Sequence, residues 1–173
     1  MKSKFGIKGI LSLDIFENGE LIESSEQDNV ITYLGLQRLF SSQFPVSLSD
    51  SVRPSSRVTK IGFGTSSLNA GDLNVHTLTG ILLKNLSSVT VGSSDGIDTE
   101  TICTFSLDSS EGNGMTIQEL GLWSSYGVID NTTEVWEAVP SGDVAFNRIV
   151  RAPIVKTSAI SIQGVWRIIC DRS

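Results

Sequence analysis

Residues 8–16, Lys8-Gly9-Ile10-Leu11-Ser12-Leu13-Asp14-Ile15-Phe16, run straight into Glu17-Asn18-Gly19-Glu20. Ile10, Ser12 and Asp14 alternate with Leu11, Leu13 and Ile15, the two-residue period of a strand with one buried face. Asn-Gly is the strongest short hairpin signal, because both turn residues take positive φ at little cost. A first strand over 8–16 and a returning strand over 21–24 are therefore expected. The same grammar continues along the chain. Val58-Thr59-Lys60-Ile61-Gly62-Phe63-Gly64 reads as a strand entering a glycine turn, and further strands are expected near 78–91, 99–107, 115–123, 133–138, 144–150 and 159–170. Gly-, Asn-, Asp- and Ser-rich clusters separate them, and no internal repeat or long linker divides the chain. Many strands with regular turn signals predict a mainly β protein, an antiparallel β-sandwich forming one domain over 1–173.

One segment departs from this pattern. Over about 30–41 the apolar residues Ile31, Leu34, Leu36, Leu39 and Phe40 fall at helical spacing, which predicts one α-helix packed on the sheet. Either Asn29 or Thr32 is its N-cap. Gly35 lies inside it, where glycine costs about 1 kcal/mol against alanine and points to close helix–sheet packing. Pro45 bars continuation.

Composition narrows the function. Of 173 residues only 18% are charged, below the roughly 25% of typical soluble domains, so Ser, Thr, Asn and Gly must solvate much of the surface. Thirteen Lys and Arg against nineteen Asp and Glu give a net charge of −6. That balance argues against nucleic acid and anionic membrane as partners. No apolar run approaches the roughly 20 residues of a spanning helix, so no membrane anchoring is expected. The opening MKSKFGIKGILSLDIF has polar interruptions and no small-x-small site, so a signal peptide is not expected. Cys103 and Cys170 lie in the apolar runs TICTF and RIICD. This points to two buried thiols, with a disulfide as the alternative.

Catalytic and metal constellations are sparse. His76 is the only histidine and reads as a turn residue; neither a multi-His site nor a Cys-His-rich zinc site can be assembled around it. There is no G-x-S-x-G elbow. Ile61-Gly62-Phe63-Gly64-Thr65 has glycines in the manner of a phosphate loop but lacks the Gly-Lys-Ser/Thr ending. Gly62 and Gly64 read instead as close-packing positions at a strand end. Asp95, Asp98 and Glu100, or Glu134 and Glu137, offer carboxylate pairs for glycoside hydrolysis. The first three also offer an incomplete Ca²⁺ loop. All read better as solvated acids, so no catalytic residue, metal or cofactor is assigned. Trp123, Trp136 and Trp166 sit in strand candidates and read mainly as core. Trp123, Tyr126 and Trp136 are nonetheless the aromatics best suited to an interface or a sugar-stacking platform.

Four segments carry a further pattern in a fixed order. They are Asn29-Val30-Ile31-Thr32-Tyr33-Leu34-Gly35-Leu36; Ile61-Gly62-Phe63-Gly64-Thr65 with His76-Thr77-Leu78; Ile117-Gln118-Glu119-Leu120-Gly121-Leu122-Trp123; and Ala145-Phe146-Asn147-Arg148-Ile149-Val150, leading through Lys156 to Val165-Trp166-Arg167-Ile168. From Asn29 to Ile168 this set resembles a family of tailed-bacteriophage structural proteins found near the tail tip. The family includes tail-collar and fibre-attachment proteins and N-terminal modules of some tail fibres. It often carries Asp-Thr where this chain has His76-Thr77. The resemblance implies a non-enzymatic β-sandwich that assembles as a homo-oligomeric ring in the virion tail after synthesis in the host cytoplasm. Its implied partners are other phage structural proteins, namely tail tube, baseplate or fibre. The motif residues are Asn29, Gly35, Gly62, Gly64, Glu119, Gly121, Arg148, Lys156 and Trp166. Glu119, set among apolar neighbours, reads as a buried acid, and Arg148 in a facing strand is its natural partner. The alternatives are a receptor- or carbohydrate-binding β-sandwich module and a capsid-decorating protein.

Overall fold

A computed structural model describes residues 6–32, 36, 58–67, 80–92, 99–124 and 144–171. The described chain is mainly β, with ten strands: β1 (Gly6–Glu17), β2 (Glu20–Ile31), β3 (Val58–Gly64), β4 (Leu82–Asn85), β5 (Ser88–Gly92), β6 (Thr99–Leu107), β7 (Thr116–Ser124), β8 (Val144–Ala145), β9 (Asn147–Val155) and β10 (Ile160–Asp171). They form two antiparallel sheets. The chain divides into two compact units, each built from separated segments. Unit 1 comprises Met1–Val30, Leu86–Thr116 and Pro153–Ser173; unit 2 comprises Ile31–Asn85 and Ile117–Ala152. Because each unit gathers distant stretches, no linker marks the division in the sequence.

The sheet of unit 1 runs β2–β1–β10–β6–β5, every pair antiparallel. The turn between β1 and β2 is the expected one, with Asn18 at φ 51° and Gly19 at φ 87°, both positive as a type I′ hairpin requires. Leu11, Leu13 and Ile15 are buried, while Ile10, Ser12 and Asp14 are half-buried. Register carries this face across the sheet: Leu11 faces Trp166, which faces Cys103, and Ile15 faces Ile162, which faces Leu107. Leu13 faces Gly164, which faces Phe105. A Cβ built on Gly164 would lie 2.1 Å from Cζ of Phe105, so the ring occupies the space that the glycine leaves. Trp166 is fully buried, which makes it core.

Several expectations change. β2 extends to Ile31 rather than stopping near 24. Its polar face is exposed, so backbone pairing with β1 holds it and apolar alternation does not announce it. Val30 and Ile31 are strand residues, so no helix begins at 30. Asn29 is not a helix cap: it faces Gly9, and a Cβ on Gly9 would fall within 1.6 Å of its Oδ1. The packed helix over 30–41 is not seen among the described residues, and Gly35 and most of that segment lie outside them. Within the segment, the N–H of Leu36 donates to the carbonyl of Thr32 at 3.0 Å. The expected strand over 78–91 is two strands, β4 in unit 2 and β5 in unit 1. The strand expected at 144–150 is interrupted at Phe146 and continues to Val155. The strand expected at 133–138 lies outside the described residues.

Neither cysteine forms a disulfide. Cys103 is buried and Cys170 only half-buried. Burial pushes the Cys103 thiol up to about 11. Among the described residues no helix is long and apolar enough to cross a membrane.

Candidate functional site

Of the motif residues, Gly62, Gly64, Glu119, Gly121 and Arg148 belong to unit 2, while Asn29, Lys156 and Trp166 belong to unit 1. β7 pairs with β3 on one side and is flanked by β8 and β9 on the other, while β4 pairs with β3. Register places Lys60 opposite Trp123, Gly62 opposite Gly121 and Gly64 opposite Glu119. Alternate strand residues share a face, so these six lie together on one face. Leu83, opposite Gly62, extends it onto β4. The facing glycines remove two side chains beside the buried cluster of Ile81, Leu83 and Trp123. The other face carries Ile61, Phe63, Leu120 and Leu122, all essentially inaccessible to solvent.

Glu119 is 1% exposed and Arg148, on β9, is 5% exposed. Oε2 of Glu119 accepts from Nε of Arg148 at 2.9 Å and from Nη2 at 2.8 Å. Oε1 accepts from the backbone N–H of Ser66 at 3.3 Å. Gly64 makes this possible, since a Cβ there would sit 2.5 Å from both Cγ and Oε1 of Glu119. Two charges so deeply buried persist only when paired and hydrogen-bonded. Both carboxylate oxygens are committed to the protein. The pair therefore clamps β7, β9 and the residues after β3 together, and presents no open face to a substrate.

Next along the strand, the side chain of Asn147, fully buried, completes the β8–β9 interruption. Its Oδ1 accepts from the N–H of Leu122 at 2.9 Å, while the N–H of Phe146 donates to the carbonyl of Leu122 at 2.7 Å. The carbonyl of Phe146 in turn accepts from the N–H of Thr32 at 3.1 Å and from its hydroxyl at 3.3 Å. A break in the strand is thus sewn shut by side chains. Sequence reasoning passes over Asn147; its only signal is a polar residue flanked by Phe146 and by Ile149 two positions on.

Unit 1 holds a second buried cation. Lys156 is fully buried, and its Nζ donates to the carbonyl of Thr157 at 3.0 Å, to Oδ1 of Asn113 at 3.2 Å and to the carbonyl of Ser109 at 3.3 Å. Three donors meet three acceptors. Burial lowers the ammonium from its ordinary value, opposed by the negative charges of Glu111 and Asp108. The Lys156 carbonyl accepts from the N–H of Gly114 at 2.9 Å and its own N–H donates to the carbonyl of Met115 at 2.9 Å. Lys156 therefore pins the turn between β6 and β7 to the turn between β9 and β10.

The remaining candidates separate. Trp123 is fully buried, so it offers no stacking platform or interface in this chain, a correction that follows from β7 being covered on both faces. Tyr126 and Trp136 lie outside the described residues, as do His76, Asp95, Asp98, Glu134 and Glu137. Glu100 is a buried partner of Arg167 across β6 and β10, not a loop ligand. Among the described residues no three His, Cys, Asp or Glu side chains gather as a metal site. What the arrangement provides is mechanical: two buried charged braces, each tying a turn or strand break to its neighbours. In comparisons with known proteins the chain matches no family model, no curated protein and no solved structure.

Proposed function

We propose that this chain is a structural protein of a tailed-bacteriophage virion, a β-sandwich tail-collar or adaptor subunit that assembles around the tail tip and anchors fibres or baseplate proteins. One observation carries the reading. Gly64, Glu119 and Arg148 come from three of the four ordered segments that resemble the tail-tip family, and they meet in one buried brace. A motif set whose members converge on packing is an architectural signature, as a scaffold subunit requires. Lys156, within the fourth segment, has the same character.

The carbohydrate-binding alternative rests on exposed aromatics, and Trp123 no longer serves it. Purified particles from a culture carrying the gene test the proposal. The chain should co-sediment with intact tails, and disrupting the gene should yield particles lacking fibres or tail-tip parts. Particles of normal composition and morphology after disruption would refute it.

A further inference from the structure

β5, Ser88-Val89-Thr90-Val91-Gly92, ends the sheet of unit 1. It pairs with β6, and among the described residues no strand pairs with its outer edge. All five residues are exposed; Val89 and Val91 are 49% and 70% exposed. Register sets Val89 opposite Cys103 and Val91 opposite Thr101. The two valines therefore continue the face that carries Cys103, Phe105 and Leu107 to the sheet's end, where both are exposed. An open edge presents unpaired N–H and C=O groups, and natural proteins usually blunt such edges with charge, proline or a bulge. β5 has none of these.

We infer that β5 is a self-association edge whose occupant is β5 of a second copy of this chain, paired antiparallel about a two-fold axis through Thr90. Two features select this occupant. The sequence Val-Thr-Val is a palindrome, so the two-fold pairing sets Thr90 against Thr90 and each Val89 against the other copy's Val91. Four valines then close over one face, as an isologous contact requires. Charge points the same way. The chain carries −6, so approach of two copies through its acidic surfaces meets repulsion. β5 is neutral throughout, and two copies approach along it without opposing charge.

The contact is small. A five-residue strand spans about 17 Å, well short of a standard interface, so the pair is weak alone and gains from multivalency in an assembly. This inference deepens the scaffold reading by naming a self-association surface, and it is tested on the purified chain without reference to particles.

Sedimentation equilibrium from about 10 to about 500 μM, a range chosen for a micromolar contact, should show the mass rising toward twice the monomer. Val91→Lys should remove at least tenfold of the association and leave the melting temperature unchanged. In a Cys170→Ser background, Thr90→Cys should form an oxidised dimer in high yield. Directly opposed antiparallel residues lie roughly 4.5–5.5 Å apart at Cα, within disulfide reach. A strict monomer across the range, an unaffected Val91→Lys, or a Thr90→Cys chain that forms no dimer would each overturn the pairing. None of these results touches the tail location, which particles alone decide.

Discussion

Removing the carboxylate of Glu119 isolates the energetics of the buried Glu119–Arg148 pair. In Glu119→Ala the guanidinium of Arg148 stays buried with its Oε2 partner gone, and the N–H of Ser66 loses its acceptor. Breaking one side of a buried pair costs about 3–5 kcal/mol. At about 2–4 °C per kcal/mol for a chain of this size, the melting temperature should fall by roughly 6–20 °C. Arg148→Leu should cost a similar amount. Glu119→Leu combined with Arg148→Leu should cost much less than the sum, because no uncompensated charge remains. Gly64 supplies an internal control. Gly64→Ala thrusts a methyl group to within 2.5 Å of the Glu119 side chain, an overpacking worth about 1–3 kcal/mol, and most of that cost should vanish in the Glu119→Ala background. Urea titrations followed by circular dichroism give each free energy. Additive effects of Gly64→Ala and Glu119→Ala, or a Glu119→Ala protein as stable as the parent, would show that the buried pair does not brace the fold.

Three further outcomes follow from the packing. Gly164→Ala should destabilise by about 1–3 kcal/mol through collision with the Phe105 ring, and that penalty should shrink in a Phe105→Leu background, checked by thermal melts. Lys156→Met leaves the acceptors at Ser109, Asn113 and Thr157 without their cation, so hydrogen exchange at Gly114 should quicken while β1 and β2 keep their protection. Cys103 makes stability depend on alkaline pH. Its folded pKa of about 11 lies above the ordinary 9.0, so the unfolded thiol ionises first and the stabilisation present below pH 9 is lost as pH rises to 11. The loss across that window amounts to roughly 2–3 kcal/mol. Cys103→Ala should remove that part of the decline, and in the parent a thiol reagent should modify Cys170 well before Cys103.

What the sequence discloses depends on how each residue is held. The β1–β2 hairpin is legible because Leu11, Leu13 and Ile15 alternate against a wet face and Asn18-Gly19 can take positive φ. The far half of β2 is illegible because its pairing is a backbone matter and Glu26, Gln27 and Asp28 are polar and exposed. The helical spacing over 30–41 misleads at its start: Asn29 faces Gly9 in a strand pair, and a capping residue type does not reveal that. The division of 78–91 leaves no breaker, since Leu86 and Ser87 alone separate strands of different sheets. In the candidate site, Glu119 is legible as an acid among apolar neighbours. Asn147 and Gly164 are not, because their roles arise only when Leu122 and Phe105 are brought opposite them by register and by the interrupted strand.

The most direct test of the tail-scaffold proposal is quantitative mass spectrometry on particles purified from a culture carrying the gene, after heads and tails are separated. This chain's peptides should appear in the tail fraction, in several copies per particle and alongside tail-tube, baseplate or fibre proteins. Peptides confined to the head fraction, or absent from purified particles altogether, would contradict it.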